Sequence, residues 1–351
     1  MSIGVRSASD VSRLQRRWGL TTLWRTGLGT VFRYLSPAPI VRRGVPMALL
    51  TFTIYPDLAR LWHKLWTRVW PTDWPIIVVD SSGELDPKHV PSAKVYRFAN
   101  KYHGWKADRF IHRWIESDYV WLTDDDKFVV DPAAISFVRS AIGEGVGAVS
   151  FAPRIKGWRY TIDGNSYVPM GSYCVVLNAV LIRKAKWPLA ASPQPCLHKP
   201  DAKTGKPGKY DTLDWANEQM LRSGYRVTVL EDTEWCSGFD GTSSARILAT
   251  VLPPETLREA LLRPRFRSDT YPRWWAAMAY GLFAVANVAS LYSKAFGEKP
   301  QLAPPMSAHE VRSCVERATG IPEGTRRLAL TQMFKYDGVV NRLSALIRAG
   351  G

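Results

Sequence analysis

Three consecutive carboxylates, Asp124-Asp125-Asp126, follow directly on the apolar run Tyr119-Val120-Trp121-Leu122-Thr123, and the chain turns a few residues later at Asp131-Pro132. The run reads as a buried β-strand that discharges into the acids. Adjacent anions repel one another, and a strand end gains nothing structural from that repulsion. A divalent cation, Mg²⁺ or Mn²⁺, is the natural compensation, because carboxylate oxygens are its preferred hard ligands. A solvated acidic turn is the other reading of the same residues. The preceding strand favours the cation, since ligands of open α/β sheets gather at the carboxyl ends of strands.

A second acidic set is Asp211-Thr-Leu-Asp214-Trp215-Ala-Asn-Glu218, ahead of Met220-Leu221 and Gly224. This reads as a helix closed by Gly224 and followed by a strand over 225–230. Asp214 and Glu218 are four residues apart, so both carboxylates lie on one helical face near its amino end. N-capping by Asp211 or Asp214, worth about 1 kcal/mol, is a sufficient structural reason for an acid there.

The elements that must position these acids alternate in type. Met47 to Thr53 is an apolar, β-prone run; Leu58 to Trp70 reads as a helix with Leu61, Leu65 and Val69 on one face; Pro75 to Asp80 is a buried strand ending in an acid. A short strand over 93–98 and a helical stretch over 101–116 lead to the acidic triplet. Strand, helix, strand implies a right-handed parallel crossover, and the alternation predicts a mostly parallel sheet flanked by helices, with Asp80 and Asp124 on one edge. Further strands are expected near 146–151 and as a ribbon over 156–167. The Pro-, Lys- and Gly-rich stretch from Pro193 to Tyr210 reads as a long polar loop.

In this order the motifs resemble the GT-A glycosyltransferases of the large family-2-like superfamily. They are the strand ending in Thr53, the strand ending Val-Val-Asp80, Asn100-Lys-Tyr-His-Gly-Trp-Lys106-Ala-Asp108 and Leu-Thr-Asp124-Asp-Asp126. The resemblance spans roughly residues 47 to 275, and the unbroken triplet is similar to that of galactofuranosyltransferases. It implies a Rossmann-like GT-A fold and a nucleotide-sugar donor. Asp80 would meet the nucleobase, Asp124 the ribose or the metal, and Asp126 the Mn²⁺ or Mg²⁺ that bridges the diphosphate. Thr53, Lys106, Asp108 and Asp125 fall in the donor half. Gly171-Ser172-Tyr173 resembles the acceptor-side loop, with Trp215 beside it. Asp214 matches the family's general base, although Leu213 replaces the Glu that precedes it, which leaves Glu218 or Asp211 as substitutes. The region 231–241, where many metal-dependent members supply a His ligand, has none; His198 is the nearest in sequence. Arg273-Trp274 match part of a motif of processive relatives, with Thr270 in place of its Gln, so processivity is not expected.

Composition bounds the rest. The 351 residues are 46% hydrophobic, enough for a sizeable core, and carry a net charge of +16, which favours an anionic partner. The 15 Trp suit wet apolar boundaries such as carbohydrate or membrane surfaces. Four Cys at wide spacings indicate neither a zinc site nor a disulfide scaffold, so a reducing cytoplasm is expected. Residues 1–46 hold eight arginines against Asp10 alone, interleaved with Leu and Trp. That pattern fits an interfacial helix on an anionic membrane or an amphipathic helix docked on the domain. Residues 47–265 form the expected catalytic domain, with a nucleotide-sugar half (47–131) and an acceptor half (132–265). Residues 266–351 form a helical extension, in which 274–292 is uncharged and reads as an in-plane or core helix more than a membrane crossing.

The functional expectation is a metal-dependent, inverting glycosyltransferase acting on a hydroxyl of a saccharide, lipid-linked or protein acceptor. A metal-dependent phosphoryl or nucleotidyl transferase, and a non-catalytic basic protein binding membrane or nucleic acid, are the alternatives. No nucleic-acid module is evident, so nucleic acid is not an expected partner.

Overall fold

A computed structural model describes residues 8–349 except 37, 157, 201–206, 232 and 265–270. The chain begins with helix α1 (Ala8–Leu35) and then alternates β1 (Met47–Thr53), α2 (Pro56–Trp66), β2 (Ile76–Asp80), β3 (Ala93–Arg97), α3 (His103–Arg113) and β4 (Tyr119–Asp124). A short β5 (Lys127–Val129), α4 (Ala133–Ala141) and β6 (Val146–Ser150) follow, then the hairpin β7 (Tyr160–Ile162) and β8 (Asn165–Tyr167), and then β9 (Cys174–Asn178) with α5 (Ala179–Ala185). Next come β10 (Ser192–Pro200), β11 (Pro207–Tyr210), α6 (Asp214–Arg222), β12 (Arg226–Val229), β13 (Cys236–Gly238), α7 (Thr242–Val251) and α8 (Pro254–Leu262). Three C-terminal helices, α9 (Tyr271–Phe296), α10 (Ala308–Arg317) and α11 (Glu323–Arg348), complete the chain.

Seven strands form the central sheet in the order β12-β6-β9-β4-β1-β2-β3, parallel throughout except for β9, which runs against both β4 and β6. This mixed sheet between helical layers, with N- and C-terminal extensions, is a Rossmann-like GT-A fold. Its central strands are buried on both faces: every residue of β1, β2 and β6 is buried, as continuous apolar runs require. The register pairs Thr53 with Asp80 and Phe52 with Asp124, so both acids end their strands on the same edge, as expected.

Two expectations need correction. The stretch expected as a loop from Pro193 to Tyr210 contains the antiparallel ribbon β10/β11. Its register shifts twice, and an irregular Pro-rich ribbon has none of the period-2 patterning that would reveal it. Most of the tryptophans placed at wet boundaries are instead core: Trp62, Trp66, Trp70 and Trp121 pack ring against ring at 5.3–5.8 Å between α2 and the sheet. By contrast α9 is a core helix, one of the two forms expected for 274–292, and packs against α2, α7, α10 and α11.

Asp57 at the start of α2 fastens the C-terminal helices, accepting the amides of Gln301 and Leu302, each at 3.0 Å. Farther along α2, His63 is buried with its Nε2 2.6 Å from Ser92 Oγ, and burial pushes its pKa down to about 4. An unfolded histidine titrates near 6.5, so only the unfolded chain takes up that proton between roughly pH 6.5 and 4. Stability from this site is therefore present above the unfolded value and lost as pH falls through the window. His63→Gln is expected to flatten that loss, read as a smaller difference in urea midpoint between neutral and mildly acidic buffer.

Candidate active site

The acidic triplet lines a cavity of about 910 Å³ at the carboxyl edge of the sheet, together with Phe52, Tyr102, His103, Lys106, Ser243, Ser244 and residues of α1. Its three carboxylates are held differently. Asp125 points into the protein, where Thr53 Oγ1 donates to its Oδ2 at 2.6 Å, and burial pushes its pKa up to about 7. Asp124 lies at the more open position, its Oδ1 3.2 Å from His103 Nδ1. Asp126 is 7% exposed; Thr242 donates to its Oδ2 at 2.7 Å, while its Oδ1 is buried with no hydrogen-bond partner. Desolvation, with Asp124, Asp125 and Asp240 nearby, raises the Asp126 pKa well above its usual value despite Lys127.

Lys127 opposes this crowding from one side. Its Nζ donates to the Phe239 carbonyl at 2.6 Å and to Asp240 Oδ1 at 2.7 Å, and lies 3.9 Å from Asp126 Oδ1. Burial works against its charge, but Asp126 and Asp240 outweigh burial and hold its pKa above the usual value. Lys106 opposes it from the other side: buried, it donates to Ser81 Oγ at 3.1 Å, and desolvation lowers its pKa to about 8 against the pull of Asp125, Asp124 and Asp80.

The far wall depends on close approaches that only glycine permits. β5 pairs with β13, and a Cβ on Gly238 would stand 2.4 Å from the Asp126 carbonyl oxygen. Gly241, at φ +76°, turns the chain into α7, whose first turn presents Thr242 to Asp126 and Ser243 and Ser244 to the cavity. Tyr336 of α11 fixes that turn by accepting the Asp240 amide at 2.6 Å. Where α7 crosses α9, a methyl on Gly281 would stand 2.8 Å from the Gly241 carbonyl oxygen and 2.9 Å from Ala245 Cβ. Gly281→Ala is therefore expected to lower stability by about 1–3 kcal/mol and to displace Thr242 from Asp126. Chemical denaturation checks the first effect.

Several residues expected on the acceptor side meet at Arg154. Its guanidinium donates to Ser172 Oγ at 2.8 Å, pairs with Asp211, and has Nε 3.9 Å from Asp214 Oδ1. The Tyr173 ring lies 5.8 Å from both the Arg154 and the Lys127 cation, and its carbonyl accepts the Asp124 amide at 2.8 Å. Tyr173 thereby joins the two acidic sets. Gly171 lets the loop pass, since a Cβ there would be 2.7 Å from the Ala152 carbonyl oxygen. Asp214 is 2% exposed and accepts the Asp211 amide at 2.8 Å. Leu213, standing where the resemblance has Glu, takes the left-handed conformation at φ +67°, a strained geometry for a branched side chain that holds the turn into α6. Asp211 is reached from the cavity through Tyr102, which lines it and donates to Asp211.

Other expected site residues are used elsewhere. Asp80 accepts four groups of its own loop, the Ser82, Gly83 and Leu85 amides and the Ser82 hydroxyl. Asp108 caps the Leu189 amide at 3.0 Å. Glu218 accepts from Tyr210 at 2.7 Å and from Arg222 at 2.9 Å, and Trp215 packs on Tyr210. None of these four lines the cavity. The side chain of His198 and residue Thr270 lie outside the described residues. His103, Tyr102, Arg154 and Thr242 to Ser244 were not anticipated. Gly241 before a Thr-Ser-Ser run is a helix-start signal that could have revealed the last group; nothing in the sequence marks Arg154.

Neither a family model nor a curated protein matches the chain. Among solved structures, it is similar to a mannosyltransferase from Pyrobaculum calidifontis in complex with GDP-Man and Mn²⁺, at 16% identity over 95% of this chain and 96% of that one, with a TM-score of 0.37. It is also similar to residues 1–349 of TarS from S. aureus, at 10% identity over 86% and 90% of the two chains and a TM-score of 0.36. A 4-diphosphocytidyl-2C-methyl-D-erythritol synthase shows 10% identity over 55% of this chain and 91% of that one, with a TM-score of 0.34. Likenesses this distant add nothing to the assignment of residues, which rests on the geometry above.

Proposed function

We propose that the chain is a metal-dependent glycosyltransferase that moves a sugar from a nucleotide-diphosphate donor to a hydroxyl acceptor with inversion. The observation that carries this is Asp126 Oδ1, a buried carboxylate oxygen lacking a hydrogen-bond partner at a cavity that Asp124 also lines. Burying such an atom is costly unless something else satisfies it. Among the described residues no group of three His, Cys, Asp or Glu side chains could hold a metal by themselves. A Mg²⁺ or Mn²⁺ here would take one or two carboxylates and need substrate phosphates and water to complete its shell. Asp124 and Asp126 would hold the cation, which would offset the charge of a departing diphosphate.

The chain's own residues supply the rest. The first turn of α7 gives a diphosphate partial positive charge and amide donors, and buried Lys106 adds a cation on the opposite side. Thr53 holds Asp125 and so anchors the triplet at the cavity that all three acids line. Asp80 shapes the loop after β2, so this loop and not the committed carboxylate would meet the nucleobase. Arg154 and the Asp211 amide hold Asp214, which takes the proton of the acceptor hydroxyl as its oxygen attacks the anomeric carbon. A single displacement inverts that carbon. The unbroken triplet suits a donor like that of the galactofuranosyltransferases.

A panel of UDP-, GDP- and dTDP-linked sugars with Mn²⁺ or Mg²⁺ tests this reading. Release of nucleoside diphosphate from one donor, suppressed by chelator, is the expected result. Pyrophosphate release without sugar transfer would instead show a nucleotidyl transferase, and release indifferent to chelator would remove the metal from the reading.

A further inference from the structure

Helix α1 is docked inside out. The stripe Leu14, Trp18, Thr22 and Thr26 is buried, and two of its four members are hydroxyl residues bonded back to the helix, Thr22 to the Gly19 carbonyl and Thr26 to that of Thr22. Gly29 lets the backbone come close enough to β3 that a Cβ there would be 2.5 Å from the Arg97 carbonyl oxygen. A helix whose only partner is its own domain turns its apolar stripe inward. Here Leu20, Leu23, Trp24, Leu28, Val31 and Leu35 are all exposed, and eight of the thirteen large hydrophobics exposed among the described residues belong to this one helix. An apolar surface so concentrated marks an interaction site.

We infer that this outer face of α1 is a docking surface for an anionic membrane, on which the helix lies in the plane of the interface. Charge selects the partner. By helical periodicity Arg13, Arg16 and Arg17 share the face of Leu20, Trp24, Val31 and Leu35, and all three are exposed. Asp10, in the first turn, is the single acid of the helix, and exposed Arg42 and Arg43 follow the helix's carboxyl end. Basic residues continuous with Trp and Leu match the two forces that hold an interfacial helix: burial of apolar groups among acyl chains and attraction to anionic headgroups. A protein partner would be expected to meet a face depleted of charge at its centre and not one ending in an arginine cluster. The surface also borders the cavity, since Arg16, Gly19, Leu20 and Leu23 line it alongside Asp124 to Asp126. Docking therefore sets the opening of the candidate active site against the lipid surface.

Sedimentation of the full chain with vesicles tests this independently of any catalytic reading. With phosphatidylcholine vesicles containing phosphatidylglycerol, binding is expected at about 0.1 M salt, falling steeply near 1 M as charges are screened. Binding to pure phosphatidylcholine is expected to be about tenfold weaker or more. Leu28→Glu with Leu35→Glu, at positions 68% and 73% exposed, should reduce binding to anionic vesicles at least about tenfold without changing the melting temperature. Undiminished binding by this double variant overturns the inference. So does light scattering that shows a wild-type dimer, made monomeric by the double variant, with no vesicle binding by either form, because the face would then serve self-association.

Discussion

Asp126→Asn is expected to lower metal-dependent sugar transfer by about 10²–10³-fold, the scale of losing one electrostatic stabiliser of a developing charge, while the metal-free protein melts at or above the wild-type temperature. The two halves of this result come from the same geometry. The side chain is buried, and desolvation raises its pKa well above the usual value, so ionising it works against the fold. An amide keeps an acceptor for the Thr242 hydroxyl and removes that penalty. A carboxylate retained only for structure would behave in the opposite way, losing stability with no selective effect on the cation response. Thermal unfolding with and without Mn²⁺ plus a nucleoside diphosphate, run beside transfer assays, separates the two.

Asp214→Asn should reduce transfer by about 10²–10⁴-fold, the usual contribution of a positioned general base, and leave nucleoside diphosphate affinity unchanged. Asp214 does not line the cavity of the triplet and is held by the Asp211 amide and Arg154, so donor contacts do not pass through it. Glu218→Gln is the control for the substitute base. Its carboxylate already serves Tyr210 and Arg222, so this change should lower stability by about 1–3 kcal/mol. Any fall in transfer should be small beside that of Asp214→Asn. The opposite ranking, with Glu218→Gln inactive and Asp214→Asn near wild type, would move the base to Glu218.

The part of the fold that carries the triplet was legible because its physics is local. Apolar runs of strand length ending in Thr53, Asp80 and Asp124 can only be buried strands, and the helices between them force parallel pairing. The reversal of β9 was not legible, since a short buried strand reads alike in either direction. Ring-on-ring packing of Trp62, Trp66, Trp70 and Trp121 escaped for a related reason: composition counts tryptophans without placing them. At the site, an acid at a strand end announced itself, but its orientation did not. Asp80 and Asp125 look equivalent to Asp124 and Asp126 in the sequence, yet the first is occupied by its own loop and the second is turned onto Thr53. Arg154, His103 and the start of α7 reach the site through tertiary contacts between residues distant in sequence. In α1 the Arg and Leu pattern fitted a docked or interfacial helix, but which face the domain would cover depended on the packing of Gly29 against β3 and of Trp18 against α7.

The central claim is that Asp124 and Asp126 grip a cation that in turn grips a diphosphate, and the most direct measurement is the coupling between the two ligands by calorimetric titration. Mn²⁺ alone is expected to bind weakly, and a nucleoside diphosphate alone weakly, with each tightening the other by the same factor as linkage requires. Asp126→Asn should abolish that coupling. If the nucleoside diphosphate binds the wild-type protein equally well in chelator and in Mn²⁺, the triplet does not hold a bridging cation and the claim is contradicted.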